Sequence, residues 1–443
     1  PAPGEDVIDA NGGALLPGLH DHHIHLCALA ARNASILCGP PQVTNRAQFA
    51  AALAAPGAGW IRAIGYHESI LSGLPTAREL DRFVPQRPLR MQHRSGRMWL
   101  INSAGLEELL AKAPPPPGFE REGGRFTGRL FDEDPWLRKA LDSSPPDCSA
   151  VSAELARHGV TGVTDMSPHN DPSMAAHFSK QMQSGAVLQH CQIAGALSLA
   201  DAQPGPWRLG PAKLHLHEAA LPDFDETVQF YKAAHDQGRK VAIHCVSEVE
   251  LVFALATLEA AANGGGINGD RIEHASVASP ELVTFMHKLG LSVCSQPHFV
   301  AERGDRYLAD VEQRHHPDLY RLRSLILAGI PLAGGSDAPF GSADPWAAMR
   351  AAVSRETGEG RIIGGEEALS PEDALALFLA DPEDFTRQRR IAIGTIADLC
   401  LLDRPWGEAR KRLLAADVTA TLVSGRIVHN RINQAPIQSV TRT

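Results

Sequence analysis

Two histidines separated by one residue, His23 and His25, close an apolar run that begins at Gly13. On an extended strand, residues two positions apart point to the same side, so both imidazoles face one way. Neutral imidazole is a common metal ligand near neutral pH, and two on one face can chelate one ion. A lone pair of this kind is weak evidence, because tight packing can also place two hydrogen-bonded histidines together. The interpretation therefore depends on further ligands elsewhere in the chain.

Four later segments of the chain each end in side chains that could also bind a metal ion. Each segment is short and apolar, as expected for a buried strand. If these strands are parallel neighbours, their carboxyl ends meet at one edge, and the side chains can converge on one centre. The ordered set favours a metal site over isolated structural histidines. The ligand-bearing ends are Lys213-Leu-His-Leu-His217, Ile243-His244, Glu273-His274 and Ser336-Asp337.

The elements that must position these side chains alternate between strand and helix. Helical patterns fill most of the intervals, as in 222–237, 248–263 and 280–289. Alternation implies a parallel sheet, and eight repeats fit a closed (β/α)8 barrel, the TIM barrel, better than an open sheet. The eight predicted strands lie near 13–20, 160–166, 187–195, 211–217, 240–246, 271–276, 291–297 and 331–337.

The remaining stretches predict two additions to this α/β barrel, which we assign to 17–390. Residues from about 40 to 150 break the strand–helix rhythm and are interpreted as an α/β insertion after strand one. Residues 1–16 and 391–443 carry strand patterns, with a hairpin at Ser424-Gly425. Together the two ends predict a small β-domain.

Composition and charge limit the classes of partner. Of 443 residues, 44% are hydrophobic and 21% are charged, which favours a large folded core over disorder. The net charge of −9 argues against nucleic acid or an anionic membrane as the main partner. No apolar run reaches the roughly 18 residues that span a bilayer, and no signal peptide is visible. Seven scattered cysteines predict reduced thiols in a cytoplasmic protein.

The ordered motifs resemble the amidohydrolase superfamily of metal-dependent hydrolases, and within it the YtcJ-like branch. The resemblance covers nearly the whole chain, and it implies hydrolysis of a non-peptide carbon–nitrogen bond in a small molecule. An amide, a cyclic amide, a carbamate or a urea-like compound would fit. The matching segments are 17–25, 59–66, 102–106, 243–244, 271–275, 295–298, 335–339 and 394–398.

The resemblance also implies a role for each ligand. His23 and His25 would hold the more buried of two divalent ions, and His244 and His274 the more exposed one. Asp337 would contact the first ion and act as the general base on the attacking water. From the sequence alone, Asp337 has one alternative role, as a helix-capping carboxylate, although its position at a strand end favours catalysis.

Lys213 matches a strand-four lysine that many relatives carry in carboxylated form, bridging two ions. A free ammonium between two cations would be repelled, whereas a carbamate is an anionic oxygen ligand. Neutralisation of the lysine by Glu218 or Glu248 is the alternative. Zinc is the expected ion, manganese, iron and cobalt are alternatives, and one ion per chain is an alternative to two.

Four further side chains are candidates for contact with the substrate: His217, His298, Arg97 and Tyr66. His217 lies nearer the end of its strand than His215 does. Arg97 stands where relatives often carry a histidine, and a guanidinium there would suit a substrate carboxylate. A solvated basic loop explains Arg97 equally well, and a structural loop role explains His298 equally well.

Two other functions stay open at this point. The same metal chemistry on an ester, lactone, phosphoester or thiocarbamate is one, because an activated water attacks any polarised centre. A non-catalytic scaffold is the other, although such a relative would be expected to lose the ligands that this chain keeps. The expected partner is a small-molecule substrate, and the sequence leaves room for a homo-oligomer.

Overall fold

A computed structural model describes residues 8–54, 56–142, 144–262 and 269–432 of the chain. Its contacts divide the chain into two compact units. The barrel unit consists of Pro1–Leu26 together with Asp147–Thr443, and the insertion unit is Cys27–Pro146. The insertion unit therefore begins earlier than the predicted start near residue 40.

Eight parallel strands form the centre of the barrel unit, and each is hydrogen-bonded to its neighbour in chain order. Their register is parallel throughout. With helices between the strands, the predicted (β/α)8 barrel is confirmed. The strands are β1 (Leu19–Ile24), β2 (Val160–Asp165), β3 (His190–Gly195), β4 (Arg208–His215), β5 (Val241–Cys245), β6 (Arg271–His274), β7 (Ser292–Ser295) and β8 (Leu332–Gly334).

The two end strands, β1 and β8, are joined at their carboxyl ends. The amide of Asp337 donates to the His23 carbonyl at 2.6 Å, and the amide of His25 donates to the Ala338 carbonyl at 2.8 Å. The buried Asp21 carboxylate adds two bonds, accepting the amides of His23 at 3.1 Å and Ser336 at 2.9 Å. Closure of the barrel thus fixes the backbone of three predicted site residues.

One predicted strand, 13–20, is divided between two sheets. Leu15–Pro17 pairs with Leu399–Leu402, whereas β1 begins only at Leu19. Gly18 connects the two strands, and only glycine fits there, since a Cβ atom would lie 2.2 Å from the Thr161 side chain. His23 therefore lies inside β1 and His25 just beyond it.

Three helices of the barrel unit begin at capping residues that can be recognised in the sequence. Ser279, Asp344 and Ser370 each accept a backbone amide of the first turn, and proline follows each of them. Within the described residues, no helix is both long and apolar enough to cross a membrane. The helices are Ser149–Arg157, Pro172–Gln183, Phe224–Asp236, Glu248–Ala262, Pro280–Lys288, His298–Asp310, Leu322–Leu327, Pro345–Ser354, Pro371–Ala376 and Trp406–Ala409.

A four-stranded antiparallel sheet joins residues from both ends of the chain, in the order Leu15–Pro17, Leu399–Leu402, Val418–Val423 and Arg426–Asn430. Ser424 and Gly425 both have positive φ, as a tight hairpin turn requires. A separate hairpin pairs Ala380–Asp381 with Asp384–Gln388. Residues 1–7 and 433–443 of the predicted β-domain lie outside the described residues.

The insertion unit is a mixed six-stranded sheet with helices, around an apolar core that includes Phe49, Leu89 and Leu100. Its strands, in sheet order, are Ile36–Leu37, Ile61–Tyr66, Leu89–His93, Met98–Ile101, Arg125–Phe131 and Phe119–Glu122. Helix Leu26–Asn33 leads from β1 into this unit, and the helices that follow are Arg46–Leu53, Ala77–Asp81, Ser103–Lys112 and Asp134–Ala140.

Candidate metal centre

Three predicted ligands converge where β1 and β8 end. Nε2 of His25 lies 3.1 Å, and Nε2 of His23 3.4 Å, from the same Asp337 oxygen, Oδ1. The ligand atoms of all three side chains lie within 4.8 Å of one another. Two imidazoles and a carboxylate at this spacing form a donor set that one divalent ion accepts.

His23 and His274 are each held through the ring nitrogen that faces away from this point. Nδ1 of His23 lies 2.5 Å from Oε2 of Glu273, and Nδ1 of His274 lies 2.6 Å from Oε1 of Gln296. Carboxylate and amide oxygens only accept hydrogen bonds, so both Nδ1 atoms carry the proton and both Nε2 atoms keep a lone pair. This is the arrangement that a metal-ligating histidine needs.

Two histidines of the insertion unit show the opposite arrangement. The Nδ1 atoms of His67 and His93 accept the backbone amides of Ser69 at 3.3 Å and Ser95 at 3.2 Å. Their Nε2 atoms therefore carry the proton in the neutral ring, and both point toward the Glu68 carboxylate. The contrast singles out His23 and His274 as rings prepared to ligate through Nε2.

Glu273 is itself held by a buried arginine. Nε of Arg271 donates to Oε1 of Glu273, and Nη2 of Arg271 donates to the His22 carbonyl at 2.8 Å. Burial alone would raise the pKa of Glu273, but the positive charges of Arg271 and Lys213 hold it well below its usual range. A permanently ionised carboxylate thus orients His23. The sequence analysis missed both residues, although the motif Arg271-Ile-Glu-His274 contains them.

A second pair of predicted ligands lies beside the first. The centroid of the His274 ring is 4.9 Å from that of His23 and 4.4 Å from that of His244. His244 in turn stacks on His215 at 4.0 Å, with only 16° between the planes. Burial lowers the pKa of His274 to about 3 and that of His244 well below its ordinary value, so both rings are neutral. Neutral imidazole is the form that binds a metal ion.

Lys213 is buried on β4, and its Nζ atom has no hydrogen-bond partner among the described residues. Burial lowers the pKa of this amine, while the charges of Glu273 and Asp337 act in the opposite direction. Neither Glu218 nor Glu248, the predicted alternatives, forms an ion pair with it in the described part of the chain. A lone buried amine is unfavourable, which is consistent with chemistry that neutralises it.

Together these features fit a divalent ion. The donor atoms of His23, His25 and Asp337 lie close together. Nε2 of His274 is a further buried atom with no hydrogen-bond partner in the described residues. His274 and Asp337 also adopt left-handed backbone conformations, with φ of +72° and +50°. Such conformations are unfavourable for residues other than glycine and cluster at functional sites.

Comparison with known proteins identifies the family. The model described as amidohydrolase family matches residues 6–429. The chain belongs to the amidohydrolase family. It is 26% identical to the N-substituted formamide deformylase of Arthrobacter pascens, over 97% of this chain and 91% of that protein. It is 24% identical to the putative amidohydrolase YtcJ of Bacillus subtilis, over 97% and 92%.

Two solved structures share the fold of this amidohydrolase family member. An uncharacterized metal-dependent hydrolase from Pyrococcus furiosus superimposes with a TM-score of 0.73, at 22% identity over 90% of this chain and 89% of that one. A second, from Pyrococcus horikoshii, gives 0.71 at 19% identity over 97% and 86%. At these identities the likeness establishes the fold.

Two predicted substrate contacts lie in the barrel unit. His217 is exposed, and its ring centroid is 4.8 Å from that of His215, which stacks on the predicted ligand His244. His298 is buried, and its Nε2 donates to the Ser336 carbonyl at 2.9 Å. The structure thus places His215 next to the predicted ligands and gives His298 a role in holding the loop that follows β8.

The other two predicted substrate contacts, Tyr66 and Arg97, have structural partners in the insertion unit. Tyr66 is fully buried in the apolar core, and its hydroxyl donates to the Gly73 carbonyl at 2.5 Å. Arg97 is bound bidentately by Asp132 through Nε and Nη2, at 2.9 and 2.6 Å. The Tyr66 ring has no exposed surface, so it cannot contact a substrate. The Arg97 side chain is 76% exposed, and its contact with a substrate stays a prediction.

A cavity of about 760 Å³ lies at the opposite end of the barrel. Residues at the amino ends of the strands line it, among them Gly210, Lys240 and Ser292, together with Phe385 of the separate hairpin. Barrel enzymes carry their chemistry at the carboxyl ends of the strands. The candidate site is therefore placed by the predicted ligands at the carboxyl ends of the strands, and not by this cavity.

Proposed function

We propose that this chain is a metal-dependent hydrolase that cleaves a non-peptide carbon–nitrogen bond in a small molecule, such as an amide, a cyclic amide, a carbamate or a urea-like compound. The observation that carries this proposal is the convergence of His23, His25 and Asp337 at the carboxyl end of the barrel. The similarity to a protein named N-substituted formamide deformylase supports an amide-type bond.

We assign zinc to this centre, because imidazole and carboxylate donors suit it. A bound divalent ion would lower the pKa of an attacking water and polarise the substrate carbonyl. Two ions per chain would require a bridging ligand, and a carboxylated Lys213 meets that need. The proposed ligands form two neighbouring groups. His23, His25 and Asp337 would bind the first ion. His244, His274 and carboxylated Lys213 would bind the second.

Asp337 is the proposed proton carrier. Burial alone would raise its pKa, but the hydrogen bond from the His25 ring holds the pKa well below its usual range. The carboxylate is therefore ionised at neutral pH and can accept the proton of the attacking water. It can then deliver that proton to the leaving nitrogen, as general acid–base catalysis requires.

The test combines metal content with substrate profiling. Purified protein, incubated with zinc and bicarbonate, should hold one or two ions per chain by elemental mass spectrometry. It should then hydrolyse members of a panel of amides, carbamates and ureas faster than matched esters, lactones and phosphoesters. Faster turnover of the oxygen esters would overturn the carbon–nitrogen assignment. Failure to bind zinc or manganese would overturn the whole proposal and favour a scaffold.

A further inference from the structure

The loop after β8 presents one large exposed aromatic side chain beside the proposed centre. The Phe340 ring is 61% exposed, and its centroid lies 5.7 Å from that of His25 with the two planes at 90°. This is a favourable edge-to-face contact, and it covers only part of the phenyl ring. Phenylalanine is usually buried, so the free surface beside a proposed ligand requires an explanation.

Phe340 is held rigidly with respect to Asp337. Its amide donates to the Asp337 carbonyl at 2.7 Å, which closes a tight turn between the two residues. Its own carbonyl accepts a hydrogen bond from Nη2 of Arg303. These bonds hold the backbone of Phe340 three residues from the proposed proton carrier.

Helix His298–Asp310 fastens the rest of the loop. His298 donates to the Ser336 carbonyl at 2.9 Å, and Glu302 accepts the amide of Ser342 at 3.0 Å. Gly341 allows this close approach, since a Cβ atom there would lie 2.3 Å from Nε2 of His298. A loop held on both sides of an exposed ring is preorganised, which lowers the entropic cost of binding against that ring.

Arg303, which contacts the backbone of Phe340, packs on a neighbouring aromatic ring. The Arg303 guanidinium lies over the Phe299 ring, 4.0 Å from its centroid, while it donates to the Phe340 carbonyl. The exposed surface of Phe340 is apolar, and a charged group placed against it would lose hydration, whereas an uncharged group would not.

We infer that the substrate carries an uncharged aromatic or bulky apolar substituent, which packs against the free face of Phe340. This inference rests on the proposed function, because it names the class of compound that the centre hydrolyses. Phe340 is then a specificity-determining residue, and a charged substituent such as a carboxymethyl group would be disfavoured next to it.

The experiment uses the full-length, zinc-loaded protein and three amides with the same acyl group. Their N-substituents are 2-phenylethyl, methyl and carboxymethyl. We expect kcat/KM for the phenylethyl amide to exceed that for the carboxymethyl amide by about tenfold or more. Phe340→Ala should lower kcat/KM for the phenylethyl amide about tenfold more than it lowers kcat/KM for the methyl amide, mainly through KM. Phe340→Leu should retain part of the preference.

The matched control is Phe224→Ala, which removes another exposed ring, 41% accessible, from the start of helix Phe224–Asp236. It should leave all three amides unchanged. Equal kcat/KM for the phenylethyl and carboxymethyl amides, or no effect of Phe340→Ala, would overturn the inference and leave the proposed function standing.

Absence of turnover for these amides and for the whole panel of amides, carbamates and ureas would instead overturn the proposed function. Calorimetric binding of the phenylethyl amide then tests the contact by itself. Binding that is at least fivefold weaker in Phe340→Ala supports the contact, and equal affinity overturns it. A thermal melt of each variant verifies folding, and Phe340→Leu provides the comparison if the alanine variant is unstable.

Discussion

Nδ1 of His23 lies 2.5 Å from Oε2 of Glu273, and neither side chain is more than 1% exposed. The other carboxylate oxygen of Glu273 accepts from Arg271, which also donates to the backbone of β1 at His22. This buried chain of contacts fixes both the tautomer and the direction of the His23 ring. Nε2 of His23 is thereby left to face Asp337.

Glu273→Gln should weaken metal binding about 10- to 100-fold, the usual effect of losing the partner that orients a ligating histidine. The amide keeps an oxygen that can accept a hydrogen bond but loses the charge that favours donation by His23. Zinc affinity, measured by competition with a chromophoric chelator, checks this expectation.

The control for this variant is Asp270→Asn. Asp270 is also a buried carboxylate bonded to a histidine, His235, at 2.8 Å, but it lies immediately before β6, at the amino end of the barrel. Its loss should reduce stability and leave zinc affinity unchanged. Equal zinc affinity for Glu273→Gln and the wild type would show that the carboxylate is only structural.

The barrel and the proximity of the proposed ligands to one another could be predicted because both depend on local patterns. Alternation of strand and helix predicts the barrel, and a ligand at the end of each parallel strand must then face the same opening. His244 and His274, for example, follow directly from their positions at the ends of β5 and β6. No knowledge of the packing was needed for either.

Side-chain partners from distant parts of the chain could not be predicted in this way. Glu273 is the sequence neighbour of His274, but it contacts His23, 250 positions away. Tyr66 belongs to a motif that matches the family, yet its ring points into an apolar core. Motif position gives no side-chain direction when the fold of the surrounding unit is unknown.

Asp337→Asn should abolish most of the activity, because the amide cannot accept a proton. The expected loss in kcat is about 100- to 10,000-fold, the typical range for a general acid–base group. Asparagine is the right substitution, since it tolerates the left-handed conformation of this position, with φ of +50°. Steady-state kinetics at saturating zinc give the measurement.

Asp344→Asn tests whether any nearby carboxylate is equally important. Asp344 caps helix Pro345–Ser354 by accepting the Trp346 amide at 2.9 Å. Asparagine is also a good capping residue, so both stability and activity should stay close to those of the wild type. Activity within about threefold of the wild type in Asp337→Asn would contradict the proposed role of Asp337.

Metal-free protein should lose stability as the pH falls below about 6.5. Burial lowers the pKa of His274 to about 3, so between 6.5 and 3 the unfolded chain binds a proton that the folded chain does not. Folding stability from this residue is complete above 6.5 and falls by at most about 1.4 kcal/mol per pH unit below it. The contribution of Asp21 to folding stability changes with pH in the opposite direction. Burial raises its pKa to about 6, so folding gains stability from Asp21 as the pH falls from 6 towards 3.8.

Urea unfolding of metal-free wild type and His274→Asn, from pH 8 to pH 4.5, isolates the contribution of His274. The difference in unfolding free energy between the two proteins should shrink as the pH falls. A constant difference for His274→Asn would mean that the ring titrates normally in the folded protein.

Lys213→Met should reduce the zinc content from about two ions per chain to one. Methionine fills a similar volume without an amine, so the site keeps its packing and loses the group that carbon dioxide could modify. In the wild type, ¹³C-bicarbonate should give a carbamate signal by NMR and increase zinc loading, and neither effect should occur in the variant.

Lys240→Met is the control, because the Lys240 amine donates to the Glu383 carbonyl at the other end of the barrel. Two ions in Lys213→Met, or no carbamate signal in the wild type, would leave Lys213 as a buried amine that acts on Glu273 and Asp337 only through its charge.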